Sequence, residues 1–190
     1  DNNKRIATHL PQFMLIGISA GKEVFIWDND AEPSQKIEFI RKHQITTVFG
    51  PPSDFLSMID ELNKTGKLFP SCIENFYFGS APVHAAFLSK IQKVSPGIKL
   101  TCLYGMTENL MVCKQDGIEK INYDGEGDIV GEAFPGVTLN ISKDDEISLN
   151  SDQMFTRYWH LNKSESFHLT GDLGKLNSDG KLVLIGRKKD

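Results

Sequence analysis

Between residues 23 and 104, short apolar β-type runs alternate with amphipathic stretches, and this alternation restricts the fold more than any other feature of the chain. Residues 23–27 read as a strand bounded by Gly21 and the turn-rich Asp28-Asn29-Asp30. Residues 33–43 then bring Ile37, Phe39 and Ile40 close to one helical face, with Pro33 suited to a first turn. Residues 45–49 form a second β-branched run that Gly50-Pro51-Pro52 ends, and a helix over about 53–63 carries Phe55, Leu56, Ile59 and Leu62. A third strand at 75–78, a helix at 83–94 and a fourth strand at 98–104 complete the series. Strand and helix in strict turn predict an α/β fold, a parallel sheet flanked by helices on both faces. Upstream, the apolar run 10–17 suits a strand exit or a short helix.

The texture changes after Glu108. From about residue 125 the chain shows short β-like segments at 137–142, 146–150, 167–169 and 182–185, separated by Asp-Asp and Asp-Gly turns, and helical periodicity disappears. The expectation is a small antiparallel β subdomain packed on the α/β layer, with residues 1–122 forming the α/β part and 123–190 the β-rich part. A net charge of −4 with both signs interspersed argues against a nucleic-acid partner, which calls for a basic face. No apolar run is long enough to span a bilayer and the first residues lack a signal-peptide core, so the cytoplasm is the expected compartment. Cys72, Cys102 and Cys113 share no CxxC spacing and read as reduced packing residues, and the scattered histidines suggest no metal cluster. A first residue other than Met, and a last one directly after a basic run, suggest a piece of a longer protein.

The chemistry gathers around residues 100–108. Leu100 to Tyr104 reads as the end of a buried strand, Gly105 permits a tight exit, and Thr107 and Glu108 fall where the strand gives way to a loop or helix. In open α/β sheets that carboxyl-end crevice is where ligands bind. A Thr hydroxyl there can meet a phosphate oxygen, a Glu carboxylate can hold Mg²⁺, and a Tyr ring can lie against a flat base. The competing reading makes Thr107 a helix cap and Glu108 a complement to its dipole. Similar alternatives stand elsewhere. Gly79-Ser80-Ala81-Pro82 suits close backbone approach to a ring edge or is an ordinary strand-to-helix loop. Asp172 can accept a pair of ribose hydroxyls or stabilise its own turn, and Arg187 can offer a fork of donors or belong to a solvated basic run.

Five stretches together resemble the adenylate-forming superfamily of acyl-CoA synthetases, luciferases and peptide-synthetase adenylation domains. They are Phe78-Gly79-Ser80-Ala81-Pro82-Val83, Thr101-Cys102-Leu103-Tyr104-Gly105-Met106-Thr107-Glu108, Glu146-Ile147-Ser148-Leu149 with Phe155-Thr156-Arg157-Tyr158-Trp159, Thr170-Gly171-Asp172-Leu173-Gly174, and Gly186-Arg187-Lys188-Lys189-Asp190. The resemblance covers essentially the whole chain and implies a part of that family's large N-terminal domain. It implies ATP or AMP and Mg²⁺ as cofactors. Gly79, Ser80, Ala81 and Pro82 would border adenine, Tyr104 would stack on it, and Gly105 and Met106 would continue the nucleotide-contacting run. Thr107 would contact phosphate, Glu108 would bind Mg²⁺, and Asp172 and Arg187 would take the ribose. Thr107 and Glu108 are the implied catalytic pair. Asp190 matches the family's hinge aspartate. Phe13 and Met14 stand where the family has "LPxFHxxG", whose aromatic pair lines the acyl pocket; Met14 replaces the usual His and leaves an apolar wall.

The departures are informative too. A Gly/Ser/Thr-rich phosphate loop of the "TSGTTGxPKG" kind and the family's C-terminal lysine are both missing from these residues, so the fragment alone is expected to be inactive. For the full-length parent the resemblance implies a ligase that activates a fatty or other apolar acid as acyl-AMP and transfers it to CoA. A β-lactone-forming or carrier-loading relative would share these residues, with carrier-protein pantetheine as acceptor in the latter. A non-catalytic adenine-nucleotide-binding module is a different class of reading. An exposed apolar sheet edge would also allow a homodimer.

Overall fold

The computed structural model describes residues 4–159 and 167–188. The chain divides into two compact units, one ending at Cys102 and the other beginning at Leu103.

In the first unit, β1 (Arg5–Ala7), β2 (Glu23–Phe25), β3 (Thr47–Gly50), β4 (Asn75–Phe78) and β5 (Lys99–Met106) line up in the order β2-β1-β3-β4-β5, every pair parallel. Helices α1 (Pro11–Ser19), α2 (Pro33–Lys42), α3 (Pro52–Thr65) and α4 (Ala85–Val94) supply the crossovers. The boundaries of α2 and α3 are legible in their chemistry. Pro33 opens α2 behind a reciprocal Glu32–Gln35 capping box, and Arg41 and Lys42 complement the dipole in its last turn. Pro52 opens α3, and Gly66, left-handed at φ 64°, closes it. β4 alternates, sending Phe76 and Phe78 inward, where they meet Phe55 of α3 with ring centroids 5.4 and 5.0 Å away, edge to face. Phe87 of α4 closes on Phe78 at 5.1 Å. Four buried rings, linked by edge contacts and by the stacked Phe76–Phe78 pair, join sheet to helices, and each contributes about 1.5–3 kcal/mol of burial.

The sequence reading missed β1, whose three residues are too few to show alternation. The apolar run at 10–17 proves helical, with Pro11 at its first position.

The second unit is antiparallel. β6 (Asn109–Asp116), β7 (Asp128–Ala133), β8 (Val137–Ile141), β9 (Glu146–Ser151), β10 (His168–Leu176) and β11 (Leu182–Arg187) take the order β6-β7-β11-β10-β9-β8. Val112, Cys113, Val130, Ile147, Leu149 and Leu182 form its core, and Tyr104 and Met106 pack against them. Burial pushes the Cys113 thiol up to about 12, so it behaves as a small apolar residue. Expected helical silence after Glu108 is broken by α5 (Gly117–Ile121), whose cap is explicit: Asp116 Oδ1 accepts from the Ile118 and Glu119 amides at 2.8 and 3.0 Å. The division falls inside β5, ahead of the 122/123 boundary drawn from texture, because β6 and α5 belong with the antiparallel strands.

The first unit also buries a carboxylate. Asp54, in the first turn of α3, has its side chain only 9% exposed, and its Oδ2 lies 3.2 Å from His9 Nδ1. That same imidazole nitrogen accepts from Trp27 Nε1 at 3.4 Å, while Lys36 Nζ is bound by the Asn29 carbonyl at 2.7 Å. Burial pushes the Asp54 carboxyl above its ordinary value, against smaller electrostatic effects of His9 and Lys36 that lower it. A raised acid contributes stability that is complete below its ordinary value of 3.8 and is lost as pH rises through the folded value. Asp54→Asn should therefore flatten the fall of Tm as pH rises above about 4. Thermal melts across that range check this, and a slope unchanged by the substitution would count against it.

Candidate nucleotide site

In the first unit the loop leaving β4 is built from small residues. Gly79 is buried and its amide reaches the Gly50 carbonyl at 3.4 Å, while Ser80, Ala81 and Pro82 are exposed before α4 begins. Ser80 is held at φ 62°, in the left-handed region where a side chain is strained and glycine is not. The loop thus offers main-chain groups at the carboxyl end of a central strand. Phe13 and Met14 lie half-buried on α1, and the Phe13 ring stacks on Phe49 of β3 with centroids 3.3 Å apart.

In the second unit three sequence-predicted residues meet in one hydrogen-bonded group. Tyr104 of β5 donates its hydroxyl to Asp172 Oδ2 at 2.7 Å, and Arg187 Nε of β11 donates to Asp172 Oδ1 at 2.8 Å. Asp172 and Arg187 are cross-strand partners in the β10–β11 register. Gly171, at φ 74°, and register shifts on both sides of Asp172 break the regular pleat of β10 there. Thr170 Oγ1 then accepts from the Asp172 amide at 3.0 Å, and the Lys188 amide donates to the Gly171 carbonyl at 2.9 Å. The result is a buried carboxylate with a neutral and a cationic donor, pinned at both ends. Burial, reinforced by Asp172, pushes the Tyr104 phenol far above its ordinary value. Tyr104 is therefore always a donor, and its ring is fixed by its own hydroxyl.

Thr107 and Glu108 sit elsewhere than expected. They do not lead into a helix but form the two-residue turn between β5 and β6. Gly105 does not end its strand either: it lies within β5, and a Cβ there would collide with the Leu110 carbonyl. Its role is close backbone approach across the hairpin. Thr107 is exposed and Glu108 half-buried. The Glu108 carbonyl accepts from the Phe155 amide at 2.9 Å, and its Oε1 accepts from the Tyr158 hydroxyl at 2.6 Å. That bond holds the Glu108 carboxyl below its usual range against a smaller opposing effect of burial, so it is ionised at neutral pH. Tyr158 is the residue to which sequence reasoning gave no role, although it lies in one of the resembling stretches. Asp190 lies outside the described residues.

The donor set fits Mg²⁺ in one mode. Among the described residues no group of three or more His, Cys, Asp or Glu surrounds a metal position. Mg²⁺ commonly uses one or two carboxylates together with substrate phosphates and water, and an ionised Glu108 on an exposed turn can supply such a ligand.

The profile of the AMP-binding enzyme family matches residues 7–159. A probable CoA ligase of Humulus lupulus, CCL8, is 25% identical over 202 aligned positions, covering 94% of this chain and 31% of that protein. The 2-succinylbenzoate–CoA ligase of Lactococcus lactis subsp. lactis is 26% identical over 164 positions, covering 84% and 34%. In fold, the chain matches the O-succinylbenzoate coenzyme A synthetase of Bacillus subtilis, solved with ATP and magnesium ion, at a TM-score of 0.79 and 21% identity, over 98% of this chain and 42% of that one. The chain spans about a third of the length of these curated relatives. Among the described residues no helix is long and apolar enough to cross a membrane.

The strained loop yields a direct prediction. Ser80→Gly relieves the left-handed penalty of about 1 kcal/mol, offset in part by the freer unfolded chain, so urea unfolding should show a net gain of roughly 0.5 kcal/mol. A lower midpoint would mean that the Ser80 side chain makes a compensating bond.

Proposed function

We propose that this chain, which belongs to the family of AMP-binding enzymes, is the nucleotide-holding part of a longer ATP-dependent ligase that activates a carboxylic acid as acyl-AMP and transfers it to CoA. The observation that carries the reading is the Tyr104–Asp172–Arg187 group, which leaves a carboxylate and a guanidinium fork side by side on paired strands. Asp172 accepts the ribose hydroxyls and Arg187 donates to the ribose or to a phosphate. Tyr104, its hydroxyl tied to Asp172, lays an immobile ring against adenine, with Gly105 and Met106 beside it. In the first unit, the loop from Gly79 to Pro82 offers main-chain groups of the kind that can border a flat ring.

In the reaction, a carboxylate oxygen of the acid attacks the α-phosphorus of ATP. A new C(O)–O–P bond forms, the bond from that phosphorus to the bridging oxygen breaks, and pyrophosphate leaves with the electron pair. The CoA thiol, losing its proton, then attacks the acyl carbonyl and AMP departs. Thr107 gives its hydroxyl to a phosphate oxygen, and Glu108 holds the metal through its carboxylate. Mg²⁺ bound there supplies charge neutralisation for the departing pyrophosphate. Most of what the protein contributes is position. The acid is a fatty or other apolar one, a reading supported by the Phe13–Phe49 stack and by Met14 in place of a polar residue.

The test is Glu108→Gln in the full-length parent, measured by acid-dependent exchange of labelled pyrophosphate into ATP. The rate should fall by at least the roughly 10- to 100-fold that even outer partners of a metal ligand are worth. Tm should hold, because a half-exposed carboxylate on a turn contributes little to stability. Parallel losses of rate and Tm would mark Glu108 as structural.

A further inference from the structure

The turn that carries Glu108 is fastened by a segment more than forty residues downstream, and the fastening is specific. Phe155 takes the Glu108 carbonyl with its amide at 2.9 Å, which fixes the main chain of the turn. Three residues on, Tyr158 reaches Glu108 Oε1 with its hydroxyl at 2.6 Å, which fixes the side chain. The Tyr158 ring is seated on Phe155, with centroids 4.7 Å apart, and Phe155 meets the His168 ring of β10 edge-on at 5.3 Å. Tyr158 itself is 45% exposed, so its ring contributes little to a core and its placement is defined by these contacts.

A glutamate on a hairpin turn has three side-chain torsions to order, and an exposed one samples several rotamers. The Tyr158 bond engages one carboxylate oxygen and thereby orients the other. Mg²⁺ tolerates little departure from octahedral geometry, so a carboxylate ligand already held in one orientation binds it more tightly than one that must be ordered on binding.

We propose that Tyr158 is a positioning residue for the metal-bound nucleotide: its hydroxyl holds Glu108 Oε1 and so orients Oε2 as the oxygen that would meet Mg²⁺. This rests on the assignment of Glu108 as the metal ligand in the proposed function, and the experiment separates the two. The opposite role for the same contact, a latch that competes with the metal for Glu108, predicts the opposite sign.

The measurement is calorimetric affinity of the full-length parent for AMP, for ATP in chelator and for ATP with Mg²⁺, in the wild type, Tyr158→Phe, Glu108→Gln and the double variant. Phenylalanine keeps the ring packing and removes only the hydroxyl. The inference expects Tyr158→Phe to leave AMP affinity unchanged and to reduce the gain in ATP affinity on adding Mg²⁺ by about tenfold, as for other outer partners of metal ligands. The double variant should be no worse than Glu108→Gln, because Tyr158 acts only through that carboxylate. If Glu108→Gln abolishes the Mg²⁺ gain while Tyr158→Phe leaves it intact or increases it, the positioning role is wrong and the metal assignment stands. If Glu108→Gln leaves the Mg²⁺ gain unchanged, both are wrong.

Discussion

The second unit is arranged around one buried carboxylate. Asp172 is 6% exposed, and a carboxyl group so placed is tolerable only if its oxygens are satisfied. Tyr104 satisfies one and Arg187 the other, from strands that are respectively distant and adjacent in sequence. Removing either donor would leave one oxygen of a buried carboxyl group without that bond, so β5, β10 and β11 are tied by a requirement and not only by apolar contact. The break in β10 at Gly171 serves the same end, because a regular pleat would not be pinned at this point by Thr170 and Lys188.

The first unit obeys a different constraint. Its parallel strands need a crossover after each one, and every crossover is a helix opened by a proline or an extended cap residue. Within its apolar core, a cluster of aromatic rings gathers in β4 and in the helices on either side of it in sequence. The loop that follows β4 therefore leaves a rigid base, and Ser80 can be held in a strained conformation at modest cost. A loop on a loose base would relax instead.

Much of this was legible in the residues, and the exceptions have physical causes. The helices α2, α3 and α4 and the strands β3 and β4 announce themselves through period, length and terminal chemistry. β7 did not, because Gly131 at φ 93° interrupts it, and a side chain there would run into the Lys114 carbonyl of the neighbouring strand. For β10 the sequence predicts only 167–169, because Gly171, Asp172 and Gly174 look like a turn, whereas the strand absorbs them as irregularities and continues to Leu176. Gly105 misled in the opposite direction: a glycine after an apolar run suggests an exit, but here it permits two strands to approach. Of the candidate site, Tyr104, Asp172, Arg187 and Glu108 are legible as candidates from their order and resemblance. That the Tyr104 hydroxyl is committed to Asp172, and that Tyr158 is committed to Glu108, depends on strand register and on the path of residues 155–158, neither of which is written in local sequence.

The central claim is that Asp172, held by Tyr104 and Arg187, is a ribose acceptor. Calorimetric binding of AMP and of 2′,3′-dideoxy-AMP to the full-length parent tests it most directly, with Asp172→Ala alongside. Hydrogen bonds to a charged acceptor are worth about 1.5–3 kcal/mol, so the wild type should bind the dideoxy nucleotide roughly 10- to 100-fold more weakly, and the alanine variant should scarcely distinguish the two. Equal affinity of the wild type for both nucleotides would contradict the account.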